Sequence, residues 1–420
     1  EVLQRLLIKR KEMAELLGYN TYAEYRLEDR MAEYPATVWD FETDLTEKVK
    51  SKAQKDYQEL LEVKKAIATL EKPAVINTWE RGYYNDILLK EKYQLDEEKV
   101  KEYFSLDDVL NGLFSITQDI FDLEYREVEN PSVWYSEVRM FEVFKDGKLK
   151  GRFYLDLHPR ENKFGHAACF PMITGKETPQ GYQVPTASLV CNFPPPTSEK
   201  PALLPHRQVI TFFHEFGHVL HHLLTTSDLM SQAGFSVARD FVEAPSQIFE
   251  NWAWDYDALK LFAKHYKSGE VLPQELYDKM LASKNVGSGI GTATQIFYGT
   301  IDMTLHDKYD PNSSESTTDV IRRLQNDILL FPYVEGTHMQ AAFGHLNGYG
   351  ASYYGYLWSK VYAEDMFSVF EENGVLDKKT GKRYRDIILA SGSTQDELEL
   401  VKQFLGREPN NQAFLKSLGL

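Results

Sequence analysis

Apolar residues at positions 209, 212, 213, 216, 219, 220, 223 and 224 repeat at helical spacing, and they fix an amphipathic helix that begins near His206 and runs to about Leu224. So continuous a stripe has to be buried, which leaves the opposite side of the helix to carry polar groups. The approach to this helix is stiff. Five prolines fall in the twelve residues from 194 to 205 (Pro194, Pro195, Pro196, Pro201 and Pro205), a composition that favours an extended spacer. Such a run can also be a ligand for a proline-recognition domain, but delivery of the next helix is the plainer reading.

The helix contains Phe213-His214-Glu215-Phe216-Gly217-His218. Residues four apart share a helix face at about 6 Å along the axis, so both imidazoles can converge on one ion at about 2.0–2.1 Å. Glu215, offset by about 100°, can face a water on that ion without being a ligand. His222 shares the face of His214 and His218, yet it lies about 12 Å along the axis from His214, too far for one ion. His221 and His222 are therefore read as wall residues, supports or solvent-facing groups, and a third ligand has to come from elsewhere. The best source is Arg239-Asp240-Phe241-Val242-Glu243-Ala244-Pro245-Ser246-Gln247. Glu243 lies 29 residues beyond His214, a separation that lets a turn bring a second helix alongside the first. A His-His-Glu set keeps a fourth position open for water, the arrangement of catalytic rather than structural zinc. On spacing alone Asp240 or Glu250 could be the ligand instead, and either could orient a histidine.

The rest of the chain is mostly helical in pattern. From Glu1 to about Leu123 the apolar spacing predicts four to six helices, with breaks at Gly18-Tyr19-Asn20, Pro35 and Pro73. Then Val133–Phe144 and Lys150–Leu157 alternate with a period near two around Lys145-Asp146-Gly147-Lys148, a hairpin signal. His166–Phe170 and Thr186–Phe193 read as two more strands, so a small sheet is inserted in a helical protein. Thr186–Phe193 is either packed in that sheet or an exposed edge able to pair with an extended peptide. The glycine cluster Gly287-Ser288-Gly289-Ile290-Gly291 has no strand before it and no Lys-Ser/Thr after it, which argues against a phosphate loop. No internal repeat or low-complexity tract is present.

With 43% hydrophobic residues and 24 Phe, 25 Tyr and 6 Trp, a 420-residue chain has ample core, which excludes disorder and suggests two or three lobes or one large helical body. Lys+Arg number 47 against 63 Asp+Glu, a net charge of −16 that argues against nucleic acid. The longest apolar stretches, such as Ala187–Cys191 and Ile387–Ala390, are far shorter than the roughly 18 residues that span a bilayer, so no membrane helix is expected. Cys169 and Cys191 are too few for a disulfide framework and read as reduced thiols, which points to the cytoplasm and leaves mitochondrion and secretion open. Position 1 is Glu, and the chain opens directly into a helix-like pattern (Val2, Leu3, Leu6, Leu7, Ile8), as expected for numbering that begins inside a longer product.

Phe343-Gly344-His345-Leu346-Asn347-Gly348-Tyr349-Gly350-Ala351-Ser352-Tyr353-Tyr354-Gly355-Tyr356 packs four Tyr, one His and four Gly into fourteen residues. Phenol and imidazole donors on a glycine-flexible segment suit a carbonyl oxygen that gains charge on attack, whereas in isolation the segment would read as an aromatic core helix. With His214–His218 and the Asp240–Gln247 segment, it resembles the thimet oligopeptidase family, which includes neurolysin, saccharolysin, oligopeptidase A and peptidyl-dipeptidases. The resemblance runs from Leu17-Gly18-Tyr19 and Tyr22-Ala23-Glu24-Tyr25 through Phe153-Tyr154-Leu155-Asp156-Leu157-His158-Pro159-Arg160 to Phe404-Leu405-Gly406-Arg407.

That resemblance implies a mainly α, two-lobed, zincin-like peptidase with a deep channel and a small β-sheet beside the active-site helix. Residues 1–125 would form part of the channel wall. Residues 126–420 would form the catalytic region, with the sheet at about 133–193, zinc-site helices at 206–255 and C-terminal helices. One zinc per chain would be held by His214, His218 and Glu243. Glu215 would be the general base, Tyr356 and His345 the oxyanion donors, and Tyr349 and Tyr353 substrate-binding residues. One departure concerns the family's usual two glycines before the first tyrosine: here only Gly348 stands before Tyr349. The implied activity is cleavage of internal bonds in short unstructured peptides. The alternatives are release of C-terminal dipeptides and zinc-dependent peptide binding without catalysis. Beyond peptides, the expected partner is a further N-terminal helical part that such proteins usually carry.

Overall fold

The computed structural model describes residues 1–67 and 75–420, so the expected break at Pro73 lies outside the described residues. By contact the chain forms two compact units, neither of them a continuous stretch. One comprises Glu1–Leu95, Ala282–Trp358 and Leu415–Leu420, the other Asp96–Leu281 and Ser359–Phe414. Among the described residues no helix is long and apolar enough to cross a membrane.

The first unit is helical. Gly18, at φ +92°, ends the turn after helix Val2–Leu16, and Thr21 starts helix Tyr22–Leu27 by accepting the Glu24 N–H on its hydroxyl (3.1 Å). Pro35 is the first residue of the 33-residue helix Pro35–Ile67, where its missing N–H costs nothing. That helix buries Val38, Leu45, Val49, Ala53 and Leu60 and lies along helix Ser288–Met303. The predicted glycine cluster is where the two helices meet. A Cβ on Gly289 would stand 2.4 Å from Ala53 N, and the Gly289 N–H donates to Asp56 Oδ2 at 2.8 Å. A carboxylate from the neighbouring helix thus satisfies this N-terminus.

The second unit holds a five-stranded sheet: β1 (Glu124–Glu127), β2 (Arg139–Lys145), β3 (Lys148–Asp156), β4 (Ala168–Ile173) and β5 (Thr186–Val190), in the order β1-β2-β3-β5-β4. Asp146 (φ +51°) and Gly147 (φ +71°) close the β2–β3 hairpin with both central residues left-handed, as the Asp-Gly signal requires. β5 runs parallel to β3 and antiparallel to β4, and all five of its residues are buried. Of the two readings of Thr186–Phe193, packing within the sheet is the one observed, and the exposed-edge alternative is overturned. β5 is an inner strand covered on both faces, and β4, whose Phe170, Met172 and Ile173 are exposed, is the edge beside it.

Helix His206–Leu223 lies on this sheet and follows an irregular connector in which Leu204 N bonds Phe104 O. Phe216 packs against Phe153 of β3 (ring centroids 5.5 Å) and Phe114 (5.7 Å), Phe212 against Phe193, and Phe213 against Phe262. On the same helix Gly217 has no room for a side chain: a Cβ would stand 2.7 Å from Ser246 Cα and 2.9 Å from Pro245 O. Backbone cannot rotate away as a side-chain tip can. Gly217→Ala is expected to lower unfolding stability by about 1–3 kcal/mol, the cost of overpacking. Denaturant unfolding checks this, and an unchanged midpoint would show that the two backbones are free to separate.

Candidate active site

Helix His206–Leu223 turns His214 and His218 to one side, their ring centroids 5.1 Å apart. The close approach at Gly217 brings in the segment that carries Glu243. Its Oε2 stands 3.2 Å from His214 Nε2 and 3.1 Å from His218 Nε2. The three ligand atoms lie within 4.8 Å of one another, the one such group among the described residues. Donors about 2.0–2.2 Å from one ion at tetrahedral angles stand about 3.4 Å apart, so these residues fit a single zinc.

The surroundings hold each donor. His214 Nδ1 lies 2.8 Å from Glu250 Oε1, a contact that holds the ring and turns its Nε2 toward Glu243. Lys360 Nζ bonds Glu250 Oε2 at 2.8 Å and Glu364 Oε1 at 3.0 Å. Glu250 is thus the orienting residue, not one of the three converging donors. Asp240 is fully buried outside that group, its carbonyl accepting from Ser359 Oγ at 2.5 Å. Ser246 Oγ reaches Glu243 Oε2 at 3.2 Å. Burial by itself would raise the Glu243 carboxyl, but His218 and His214 outweigh it and hold the group well below the usual carboxylate range. Burial likewise opposes ionisation of Glu250, and Lys360 and His214 bring it down to about 2. Burial would lower His214, yet its bonds to Glu243 and Glu250 raise it to about 10.

Glu215 is buried beside this group. Burial raises its carboxyl, the two histidines oppose that, and the Cys169 backbone N–H of β4 donates to it. His221 and His222 are both buried rather than solvent-facing. His222 Nε2 bonds the Ile173 carbonyl of β4 at 2.9 Å, and burial pushes His221 down to about 3, so it sits in the wall as a neutral ring.

The glycine/tyrosine residues lie in the other unit, where the chain brings them together as one aromatic cluster. His345 and Tyr356 have Nε2 and Oη 3.4 Å apart, and Tyr349 stacks on Tyr356 at 5.6 Å. His345, Tyr349 and Tyr356 are half-buried. Tyr353 is buried between the rings of His345 (4.9 Å) and Tyr356 (5.1 Å), and its hydroxyl donates to Gln295 at 3.0 Å. Sequence reading missed Lys360 and Glu364, whose four-residue spacing matches any surface ion pair, and Gln295, which no local pattern marks.

The Glu250 contact predicts that Glu250→Gln weakens zinc binding about 10–100-fold, the usual cost of losing the group behind a ligating histidine. Glu243→Gln should weaken it more, since it removes a donor. Competition with a chelator of known affinity reads both. Native affinity in Glu243→Gln would take that residue out of the donor set.

The sequence profile of Peptidase family M3 matches residues 1–420. Oligopeptidase A of Salmonella typhimurium is 38% identical over 424 residues, covering 100% of this chain and 62% of that protein. Saccharolysin of Saccharomyces cerevisiae is 39% identical over 430 residues, 98% of this chain and 60% of its own length. The thimet-like oligopeptidase of Dictyostelium discoideum is 38% identical, covering 100% and 64%. The chain therefore spans about six-tenths of these relatives. Among solved structures, the M32 carboxypeptidase of Deinococcus radiodurans R1 matches with a TM-score of 0.57 at 13% identity, over 99% of this chain and 72% of that one, a likeness of fold. A small sheet with a helix packed on it, a His-His-Glu group made by that helix and the segment carrying Glu243, and a profile match from end to end agree: the chain belongs to Peptidase family M3.

Proposed function

We propose that this protein is a zinc-dependent oligopeptidase that hydrolyses internal bonds of short unstructured peptides. The observation that carries the reading is the convergence of His214 Nε2, His218 Nε2 and Glu243 Oε2 with Glu215 on the next helical position. Family membership and relatives named oligopeptidases support it.

A zinc ion held by His214, His218 and Glu243 would polarise the scissile carbonyl and make a water acidic enough to lose its proton near neutrality. Glu215 takes that proton as the water oxygen bonds to the carbonyl carbon, then hands it to the leaving amine as the C–N bond breaks. Its burial favours the protonated form and so aids the first transfer, uptake of the water's proton, while the Cys169 amide holds the carboxylate in place. Tyr356 and His345 are assigned as donors to the oxyanion, and Tyr349 and Tyr353 as substrate-binding groups. Support for Tyr353 is narrower because its hydroxyl is committed to Gln295. The backbone of β4, paired with β5 along one side, offers an edge for an extended peptide.

Mapping products from one unblocked and one C-amidated peptide tests the reading. Internal cleavage of both supports an oligopeptidase, whereas loss on amidation indicates dipeptide release from a free C-terminus. Glu215→Gln should keep zinc and peptide binding while kcat falls about 10²–10⁴-fold, because an amide cannot take the water's proton. Near-normal turnover in that variant would move the base elsewhere. Tyr356→Phe removes one hydroxyl and keeps the ring. If the phenol serves the oxyanion, kcat falls about 10²–10³-fold with KM little changed, and Tyr349→Phe has the smaller effect. A rise in KM at constant kcat would instead assign Tyr356 to ground-state binding.

A further inference from the structure

We infer that Asp302, His306 and Arg10 form a positioning relay that sets the backbone of residues 346–353, and through it the presentation of His345 and Tyr356. The catalytic half of this inference rests on the oxyanion role proposed above; the structural half stands apart from it.

Asp302 lies near the end of helix Ser288–Met303 and is 1% exposed. Its Oδ1 accepts the Ala351 N–H at 2.9 Å, and its Oδ2 accepts the N–H groups of Ser352 (2.8 Å) and Tyr353 (2.9 Å). Three successive amides thus converge on one buried carboxylate. His306, in the π-helical turn Thr304–Lys308 that continues this helix, puts Nδ1 2.8 Å from the Asp302 backbone carbonyl, its hydrogen-bond partner, and 2.9 Å from Asp302 Oδ1. Behind it, Arg10 of helix Val2–Leu16 places Nη1 2.9 Å from His306 Nε2. A guanidinium only donates, so His306 Nε2 accepts and its proton sits on Nδ1, facing Asp302. The same guanidinium donates to Leu346 O (2.6 Å) and Asn347 O (2.7 Å). Arg10 therefore fixes the carbonyls at one end of the segment and Asp302 the amides at the other.

Two local features show that the segment needs such a hold. Ala351 is fully buried with φ +56°, a left-handed conformation that a residue with a Cβ avoids unless its surroundings impose it. Its N–H is one of the three on Asp302. Beside it, a Cβ on Gly350 would stand 2.8 Å from Arg10 Nη1 and 3.0 Å from His306 Nε2, so the chain passes directly over the Arg10–His306 pair. Tyr353, whose amide completes the set, is the ring between His345 and Tyr356. The clamp on the backbone is thereby one residue removed from the two side chains assigned to the oxyanion.

These are positioning residues, and the test separates that role from a contribution to folding alone. Asp302→Asn keeps the shape, but its amide group must face either two backbone N–H donors or the Ala351 N–H and His306. Amide exchange of residues 350–353 should become about ten-fold faster or more while helix Ser288–Met303 keeps its protection. With peptide substrate, kcat should fall about 10–100-fold at nearly constant KM, since small misplacements of reacting groups cost on that scale. Combined with Tyr356→Phe, Asp302→Asn should add little further loss, because the relay acts through groups already disabled. Should Asp302→Asn not fold, Gly350→Ala carries the same expectations, as it retains all three polar side chains and only forces Arg10 and His306 apart. Native exchange at 350–353, or losses that multiply in the double variant, would overturn the relay. If Tyr356→Phe alone is silent, the oxyanion assignment fails, and the exchange measurement still decides whether the relay sets the segment.

Discussion

The contact between Gly217 and the backbone of Pro245 and Ser246 is the constraint from which the geometry of the His-His-Glu group follows. A helix that presents two imidazoles from one face still lacks a third donor, and any side chain between them would hold a second backbone off. With only hydrogen at position 217, Ser246 Cα approaches to a distance where no Cβ fits, and Glu243, three residues earlier, enters between His214 and His218. The apolar stripe on the same helix, through Phe212, Phe213 and Phe216, anchors it to the sheet and to Phe262. The glycine can therefore set a distance instead of loosening a helix.

Charge buried at that contact is compensated in alternation. Glu243 meets two imidazoles, His214 meets two carboxylates, Glu250 meets His214 and Lys360, and Lys360 meets Glu364. An isolated carboxylate at such depth would take up a proton, and burial pushes Glu243 and Glu250 that way. Their cationic partners reverse the sign. With Nδ1 committed to Glu250, the remaining attraction of Glu243 is for a positive charge at Nε2 of His214 and His218. A proton can supply that charge, and so can a divalent cation.

Local chemistry made some of this legible from sequence, and tertiary assembly hid the rest. Helix 206–224 was expected to within a residue of the observed His206–Leu223 because its period is strong, and the Asp146-Gly147 hairpin because few residues tolerate two left-handed positions. Whether Thr186–Phe193 packs inside the sheet or forms its edge stays open in the sequence, because strand order is not written in a short segment; in the fold β3 and β4 enclose Thr186–Val190. β1 was missed because Glu-Tyr-Arg-Glu has no apolar alternation to show. Lys360 reaches Glu250 across 110 positions of sequence, and Arg10 reaches Leu346 across 336, separations over which a single chain carries no signal.

The two clusters of polar side chains solve the same problem with different means. His214, Glu215 and His218 sit on a helix whose own hydrogen-bond ladder fixes their relative positions, so what remains is to bring one further donor into place. His345 and Tyr356 flank a stretch, residues 349–354, with no such ladder: beside one turn bond from the Ser352 N–H to Tyr349 O (3.1 Å), the amides of 351–353 are held by Asp302. In the role proposed for His345 and Tyr356, donors to a developing oxyanion are effective only when held in place before the charge appears, because reorganisation at that moment would add to the barrier. An irregular segment meets that demand when buried groups of opposite polarity grip its two ends. The Asp302 carboxylate on three amides and the Arg10 guanidinium on two carbonyls do so, with His306 joining them. Gly350 has there the function that Gly217 has in the other unit: each marks where a side chain was given up so that polar groups could approach.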